Sequence, residues 1–353
     1  MRKEVLMKRL CIRAYRYVQR HIRRMLYSNR YYNWFVFSRR LSKEWKKTIE
    51  SHYSCNPRVM VKGKKTVVFL CNGFVEHGGL ADRLKGIVST YAVCKDLGLD
   101  FRILFTSPFR LTDYLLPNGY NWQIDEKDVL FDSAVSEVVA LEIGEETEWQ
   151  GRKQYEYLRR HIGKSSTSQV HVCTNAHFCY YGDFSALFHE LFRPTPRLQS
   201  VVTDCISAMA PCYISVSARF IGNLGDFVDT QKADALPQKD RELLLGKCME
   251  QVETLHRLHP ECRILVCSDS EKFLNVAETL PYTYIYKGEI RHLDVPADEC
   301  DYGTFEKTFV DFLLIAGAAE VFRLDTRWTH SSGFPYMASR VGSRPFHSIK
   351  FSV

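Results

Sequence analysis

Short apolar runs alternate with helix-period segments from residue 58 onward, and several of the runs end in glycine, serine or aspartate. TVVFLCN (66–72) reads as a strand that closes in a glycine-containing turn. Leu80, Leu84, Ile87, Val88, Tyr91 and Val93 follow at helical spacing over 80–97, and FRILFT (101–106) reads as the next strand. A strand, a helix and a strand in this order form a βαβ unit, which imposes parallel pairing. Residues 111–150 read as irregular and acidic, VHVCTN (170–175) as a strand and 184–192 as a helix. FRPTPR (192–197) then breaks the pattern, because proline biases its predecessor away from helix. Beyond it the alternation restarts. Helices are expected at 197–209, 239–258, 271–280, 305–319 and after Ser332, with strands at 213–220, 263–270, 282–287 and 320–325.

Two successive α/β halves predict two Rossmann-like domains facing a central cleft, over 58–196 and 197–353, after a basic segment at 1–57. A length of 353 residues accommodates two domains of ~150 residues and a tail. The chain has no run of ~18 consecutive apolar residues, which argues against a membrane span. The N-terminus lacks the apolar core and small-residue cleavage site of a secretory signal, so a cytoplasmic location is expected.

The net charge of +7 is unevenly placed. Residues 1–50 carry +12 and the remainder −5, so the body is not a nucleic-acid-binding surface. Within 1–27, Leu6, Leu10, Ala14, Val18, Ile22 and Met25 recur on one helical face. Arg9, Arg13, Arg16, Arg20 and Arg23 recur on the other, and YYNWFVF follows. A basic amphipathic helix with an aromatic cluster suits an anionic membrane surface contacted through residues 1–37; a helix packed on the body with its basic face solvated is the alternative.

Twelve cysteines are scattered without a CxxC pair, and Cys71 and Cys267 sit inside apolar runs, as reduced buried thiols do. His171, Cys173, His177 and Cys179 have zinc-ligand chemistry. Their spacing is not that of two separated ligand pairs, and His171 and Cys173 fall on one face of a strand. No metal site is expected.

Ligands of open α/β sheets bind at the carboxyl ends of strands. Four polar segments fall there. NGFVEHGGLADRL (72–84) offers Gly78 and Gly79 for close backbone approach ahead of a helix N-terminus. SARFIGNLGDF (217–227) places Arg219 at the end of an apolar strand, where a guanidinium needs a partner such as a phosphate, or internally Asp226. CSDS (267–270) contributes Ser268 and Asp269, and THSSGF (329–334) has the composition of an anion cradle. Each segment taken alone also fits a plain turn or helix cap.

The set resembles the GDP-fucose-dependent fucosyltransferases: bacterial α-1,2-fucosyltransferases, nodulation-factor fucosyltransferases and protein O-fucosyltransferases. HGGLADRL is similar to their glycine-rich first loop, SARFIGNLGDF to their HxRxGD segment, and SDS to their S/T-D-D segment. DFLLIAGAAEVFRLDTRWTHSSGF resembles their last motif. The resemblance runs over roughly residues 66–340 in the family's order. Ser217 stands where the family has histidine, and IGN separates Arg219 from Gly225 and Asp226.

The resemblance implies a GT-B fold and inverting transfer of fucose from GDP-fucose to a saccharide acceptor, with neither metal nor other cofactor, and the basic tail points to a lipid-linked acceptor in surface-polysaccharide synthesis. The resemblance implies donor contacts from Gly78, Gly79, Arg219, Asp226, Ser268, Asp269, Asp311, Ser331, Ser332 and Phe334. Arg219 is the expected stabiliser of the leaving phosphate, and Asp82 and His77 are the candidate bases. A transferase using another nucleotide sugar, and a non-catalytic nucleotide- or glycan-binding module, remain the alternatives.

Overall fold

The computed structural model describes residues 30–56, 64–142, 148–177, 183–227, 235–294 and 301–353, with the side chains of 30–38 and 148–150 excepted. The basic helix expected at 1–27, the side chains of the aromatic cluster and Cys179 lie outside the described residues.

Helix α1 (Arg30–Glu50) precedes the first sheet. Its last turns are not a free tail. Ile49 is buried with Val68, Leu70, Leu104 and Val138, and Trp45 and Tyr53 pack on the same cluster. Strand β1 (Thr66–Cys71), helix α2 (Leu80–Leu97) and strand β2 (Asp100–Phe105) follow as the spacing predicts, with β1 and β2 parallel from Thr66↔Asp100 to Cys71↔Phe105. A short strand β3 (Leu115–Pro117) leads to β4 (Ser136–Leu141). The region read as irregular therefore hides a strand. Val138, Val139 and Ala140 are buried between the acidic flanks that masked them. Helix α3 (Glu148–Lys164), β5 (Gln169–Thr174), α4 (Phe184–Leu191) and β6 (Phe192–Pro194) complete this half, and α5 (Pro196–Ala208) follows.

At the proline break, β6 pairs antiparallel with β3, and Thr195 Oγ1 accepts from Leu198 N at 3.3 Å to start α5. Pro196 sits in the first turn of α5, where its missing N–H costs nothing. The main sheet has the order β2-β1-β5-β4, with every pairing parallel.

The second half comprises β7 (Tyr213–Ala218), α6 (Gln238–Leu258), β8 (Arg263–Ser268), α7 (Glu271–Glu278), β9 (Thr283–Tyr284), α8 (Tyr302–Gly317), β10 (Val321–Asp325), α9 (Gly333–Gly342) and β11 (Phe346–Lys350). The order is β11-β10-β7-β8-β9, again parallel throughout. The strand expected at 282–287 shrinks to β9, and its continuation turns away to accept from Lys307 Nζ at Tyr286 O (2.7 Å).

Alternate residues of each sheet face different cores. Val67 and Phe69 of β1 and Leu265 and Cys267 of β8 belong to one central cluster that spans both halves. Val68 and Leu70 face the α1 side, while Ile214, Val216, Ile264 and Val266 face a third cluster under α6 and α7. In the shared layer α9 packs on α2 and α4. Tyr114 stacks on Phe309 across the halves with ring centroids 4.2 Å apart. Burying each such side chain is worth ~1.5–3 kcal/mol, so the central cluster holds the halves as one body.

The expectation of reduced thiols is corrected at one pair. Cys212 and Cys262 form a disulfide, because β7 and β8 pair from Tyr213↔Arg263 and bring the preceding Cα atoms to 4.6 Å. Among the described residues, Cys55, Cys71, Cys94, Cys173, Cys205, Cys248 and Cys267 are free thiols. No described helix is long and apolar enough to cross a membrane, and no group of three or more described His, Cys, Asp or Glu side chains is placed to hold a metal.

Candidate active site

A cavity of about 180 Å³ opens at the carboxyl ends of β7, β8 and β10. β10 flanks β7 on one side and β8 on the other, so the chain changes direction there and leaves a crevice. Gly79–Asp82 at the start of α2 forms the wall contributed by the N-terminal half.

Arg219 follows the last residue of β7 and lines the cavity. Its carbonyl accepts from His330 N at 2.7 Å, which ties the β7 end to the loop before α9. The carboxylate that feels its charge is Asp269. Asp269 Oδ1 and Oδ2 accept from Phe220 N (2.8 Å) and Ile221 N (2.9 Å), bracing a turn in which Ile221 and Gly222 take positive φ. Burial pushes the Asp269 carboxyl up, while these N–H groups and Arg219 hold it down. Asp226 does not line the cavity: it accepts from Ser270 Oγ (2.7 Å) and Lys272 N (2.8 Å) at the start of α7. In this structure Asp226 therefore stands at a helix terminus and not on the cavity wall.

Ser268 lines the cavity and donates to Ala218 O at 2.8 Å. Asp311 reaches it from α8, a turn beyond Lys307, whose Nζ lies 2.9 Å from Asp311 Oδ2. Both side chains are buried, and burial raises the Asp311 carboxyl against the opposing pull of Lys307. Asp311 Oδ1 is buried without a hydrogen-bond partner. Ser332 caps α9, its Oγ accepting from Phe334 N at 3.2 Å, and both residues line the cavity. Ser331 is outside it, donating to Asp325 Oδ1 at 3.1 Å.

On the opposite wall, Gly79 N donates to Asp82 Oδ2 at 3.2 Å, and Asp82 Oδ1 pairs with Lys85 at 2.8 Å. Asp82 is thus a cap that lines the cavity with both oxygens engaged. Gly78 stands behind the lining at φ +83°, where a Cβ would meet Asp82 Oδ2 at 2.6 Å. His77 does not reach the cavity. It is 2% exposed, between Trp45 and Phe69, with Nε2 3.4 Å from Cys173 Sγ. Burial lowers its pKa to about 3, which leaves a neutral packed ring in place of the expected base.

Arg291 lines the cavity, and so do two further cations that carry a recognisable signal in the sequence. Arg323 projects from β10, its fork on Asp325 (2.7 Å between Nη2 and Oδ2) and its Nη1 on Ser332 O (2.9 Å). The other is Lys307. Arg323 carried the signal already used for Arg219, a charge within an apolar strand. Lys307 and Asp311 carried an i,i+4 charge pair on an otherwise apolar helix. The resulting surface sets guanidinium groups and a helix N-terminus around one side of a crevice, an arrangement suited to a phosphorylated ligand.

Two parallel-sheet α/β halves with a crevice at their facing strand ends define the GT-B architecture. No family model matches the chain, and no curated protein matches it. Solved structures do. A fucosyltransferase, NodZ from Bradyrhizobium, aligns over 78% of this chain and 92% of its own, at 14% identity and a TM-score of 0.52. NodZ α-1,6-fucosyltransferase co-crystallised with GDP aligns over the same shares at 13% identity and 0.52. The same enzyme soaked with GDP-fucose aligns over 79% and 93% at 14% identity and 0.50. The fold of this chain is therefore the fold of the GDP-fucose fucosyltransferases.

Proposed function

We propose that the protein is an inverting glycosyltransferase that moves fucose from GDP-fucose to a saccharide acceptor without a metal ion. The observation that carries the reading is Arg219 and the N-terminus of α9 on one cavity, in a fold shared with a transferase solved with GDP. As the glycosidic C–O bond breaks, negative charge develops on the departing diphosphate. Arg219, Arg323 and the first turn of α9 stabilise that charge where it forms. Asp311 Oδ1, buried and otherwise without a hydrogen-bond partner, accepts from the N–H edge of the base. Asp82 faces the acceptor hydroxyl from the other wall and orients it. The division at residue 196 separates an acceptor side from a donor side. Residues 1–37 hold the enzyme on an anionic membrane surface at its cytoplasmic face, near lipid-linked acceptors of surface polysaccharide.

Ser217 favours a second reading, a nucleotide- or glycan-binding module without turnover. It stands where the resembled family has histidine, and its hydroxyl is buried without a hydrogen-bond partner. Incubating the purified protein with GDP-fucose, with and without saccharide acceptors, separates the two. Release of GDP with transfer or hydrolysis of fucose is the expected result. Saturable GDP binding with no turnover on any acceptor or on water would move the assignment to the binding module.

A further inference from the structure

An ion pair between Arg83 and Asp294 joins the two halves beside the cavity. Arg83 Nη2 lies 2.6 Å from Asp294 Oδ1, and the side chains are 5% and 7% exposed. Arg83 is in the first turn of α2, and Asp294 lies between β9 and α8 of the second half, 211 residues further on. The other donors of the guanidinium are also engaged. Nε donates to Gly78 O at 3.0 Å, and Nη1 donates to Ser107 O at 2.9 Å and lies 2.8 Å from Cys71 Sγ. Asp294 Oδ2 accepts from Gly78 N at 2.7 Å. Gly78 is therefore gripped on both sides of its peptide plane system, its N–H by Asp294 and its carbonyl by Arg83.

The placement of this grip matters more than its strength. Glu289–Leu293, immediately before Asp294, lines the cavity from one side, and Gly79–Asp82, immediately after Gly78, lines it from the other. A buried ion pair recovers its desolvation cost only with good geometry and satisfied hydrogen bonds, and apolar packing gives equal stability more simply. Here the pair fixes two walls of one cavity relative to each other. The geometry points to Asp294 as a positioning residue for the transfer step. It clasps the Glu289–Leu293 strap to the glycine loop and so holds the N-terminal wall against the bound donor. This inference rests on the transferase reading. Asp294 does not line the cavity. The residues proposed to hold the nucleotide, Arg219, Arg323 and Asp311, lie on β7, β10 and α8 or directly after them.

The test compares wild type, Asp294→Ala and Asp294→Asn by three measurements: deuterium uptake in peptides covering 76–84 and β7, GDP affinity, and turnover of GDP-fucose. Asp294→Ala is expected to speed exchange over 76–84 by about tenfold while β7 stays protected. GDP affinity is expected to stay within about threefold, and kcat to fall by about 10–100-fold, the scale for misplacing a wall of a reaction site. Asp294→Asn keeps an acceptor for Gly78 N–H and is expected to recover part of both effects. Where the alanine variant does not fold, the asparagine variant carries the same comparison with smaller changes. Unchanged exchange and turnover in an active background overturns the clasp alone. Equal losses of GDP affinity and β7 protection also overturn it, because they mark general loosening. A wild-type protein that neither binds GDP nor turns over GDP-fucose overturns the transferase reading, and the transfer role falls with it.

Discussion

Arg219 and Arg323 enter one cavity from neighbouring strands, and their partners differ in a way that decides what substitution does. Arg323 is held by Asp325 in a fork, a geometry that fixes the loop before α9. Arg219 faces Asp269, which is independently satisfied by two backbone N–H groups. Truncating Arg219 leaves Asp269 with both of its backbone N–H donors, and Arg219→Ala is expected to melt close to wild type. Turnover should fall by on the order of 10²–10³, the scale for losing one donor to a developing anion. GDP affinity should fall with it, since the phosphate is present in product too. Arg219→Lys keeps the charge without the planar fork and should not rescue either. Unchanged affinity and turnover in a folded Arg219→Ala protein would end the phosphate-ligand assignment. At this scale the sequence singles out Arg219 at the end of an apolar strand but passes over Arg323, which carries the same signal in β10. It was read poorly where the deciding fact was burial: nothing in VEHGG separates a histidine under Trp45 from one on a cavity wall. Asp226 shows the same limit, because the turn at Ile221–Gly225 directs it to α7.

Periodicity carried the elements. β1, α2, β5, α5, β7, β8 and β10 fall within a few residues of their expected places, because apolar alternation and turn residues agree along each of them. β4 escaped because only Val138, Val139 and Ala140 mark it between acidic flanks, and its burial comes from α1 on one side and the central layer on the other. β11 is half exposed at the sheet edge and has a polar sequence. Close approach between elements is testable at glycine. In α2, a Cβ on Gly86 would sit 2.0 Å from Thr174 O, the last residue of β5. Gly86→Ala must push the helix off the sheet, and overpacking of this kind costs ~1–3 kcal/mol or more. In α6, a Cβ on Gly246 meets nothing within 4 Å. Gly246→Ala should therefore stabilise by ~0.4–1 kcal/mol through the helix and the unfolded chain. Urea unfolding of the two variants is expected to shift the midpoint in opposite directions. Shifts of the same sign would contradict the packing of α2 on β5.

For the whole molecule, the halves were legible and their joining was not. Two runs of strand–helix alternation around a proline break announce two sheets. The shared aromatic layer, the packing of α9 on α2 and α4, and the Arg83–Asp294 pair depend on contacts between residues hundreds of positions apart. The Cys212–Cys262 bridge likewise follows from strand pairing that spacing alone does not reveal. The charge asymmetry sets the strongly basic residues 1–50 apart from an acidic body, which leaves the cavity's cations as a local feature built by β7, β10, α8 and the Glu289–Leu293 segment. That local feature is what the central claim rests on, and nucleotide binding tests it most directly. Titrating GDP, UDP and CMP into the purified protein while following its melting temperature compares guanine with uracil at a constant diphosphate, and CMP adds a pyrimidine with a single phosphate. GDP is expected to raise the melting temperature in a saturable way, worth ~2.7 kcal/mol at a hundredfold excess over its dissociation constant. UDP is expected to do much less and CMP least. A shift as large with UDP as with GDP would contradict the donor assignment, and no shift with any of them would contradict the nucleotide site itself.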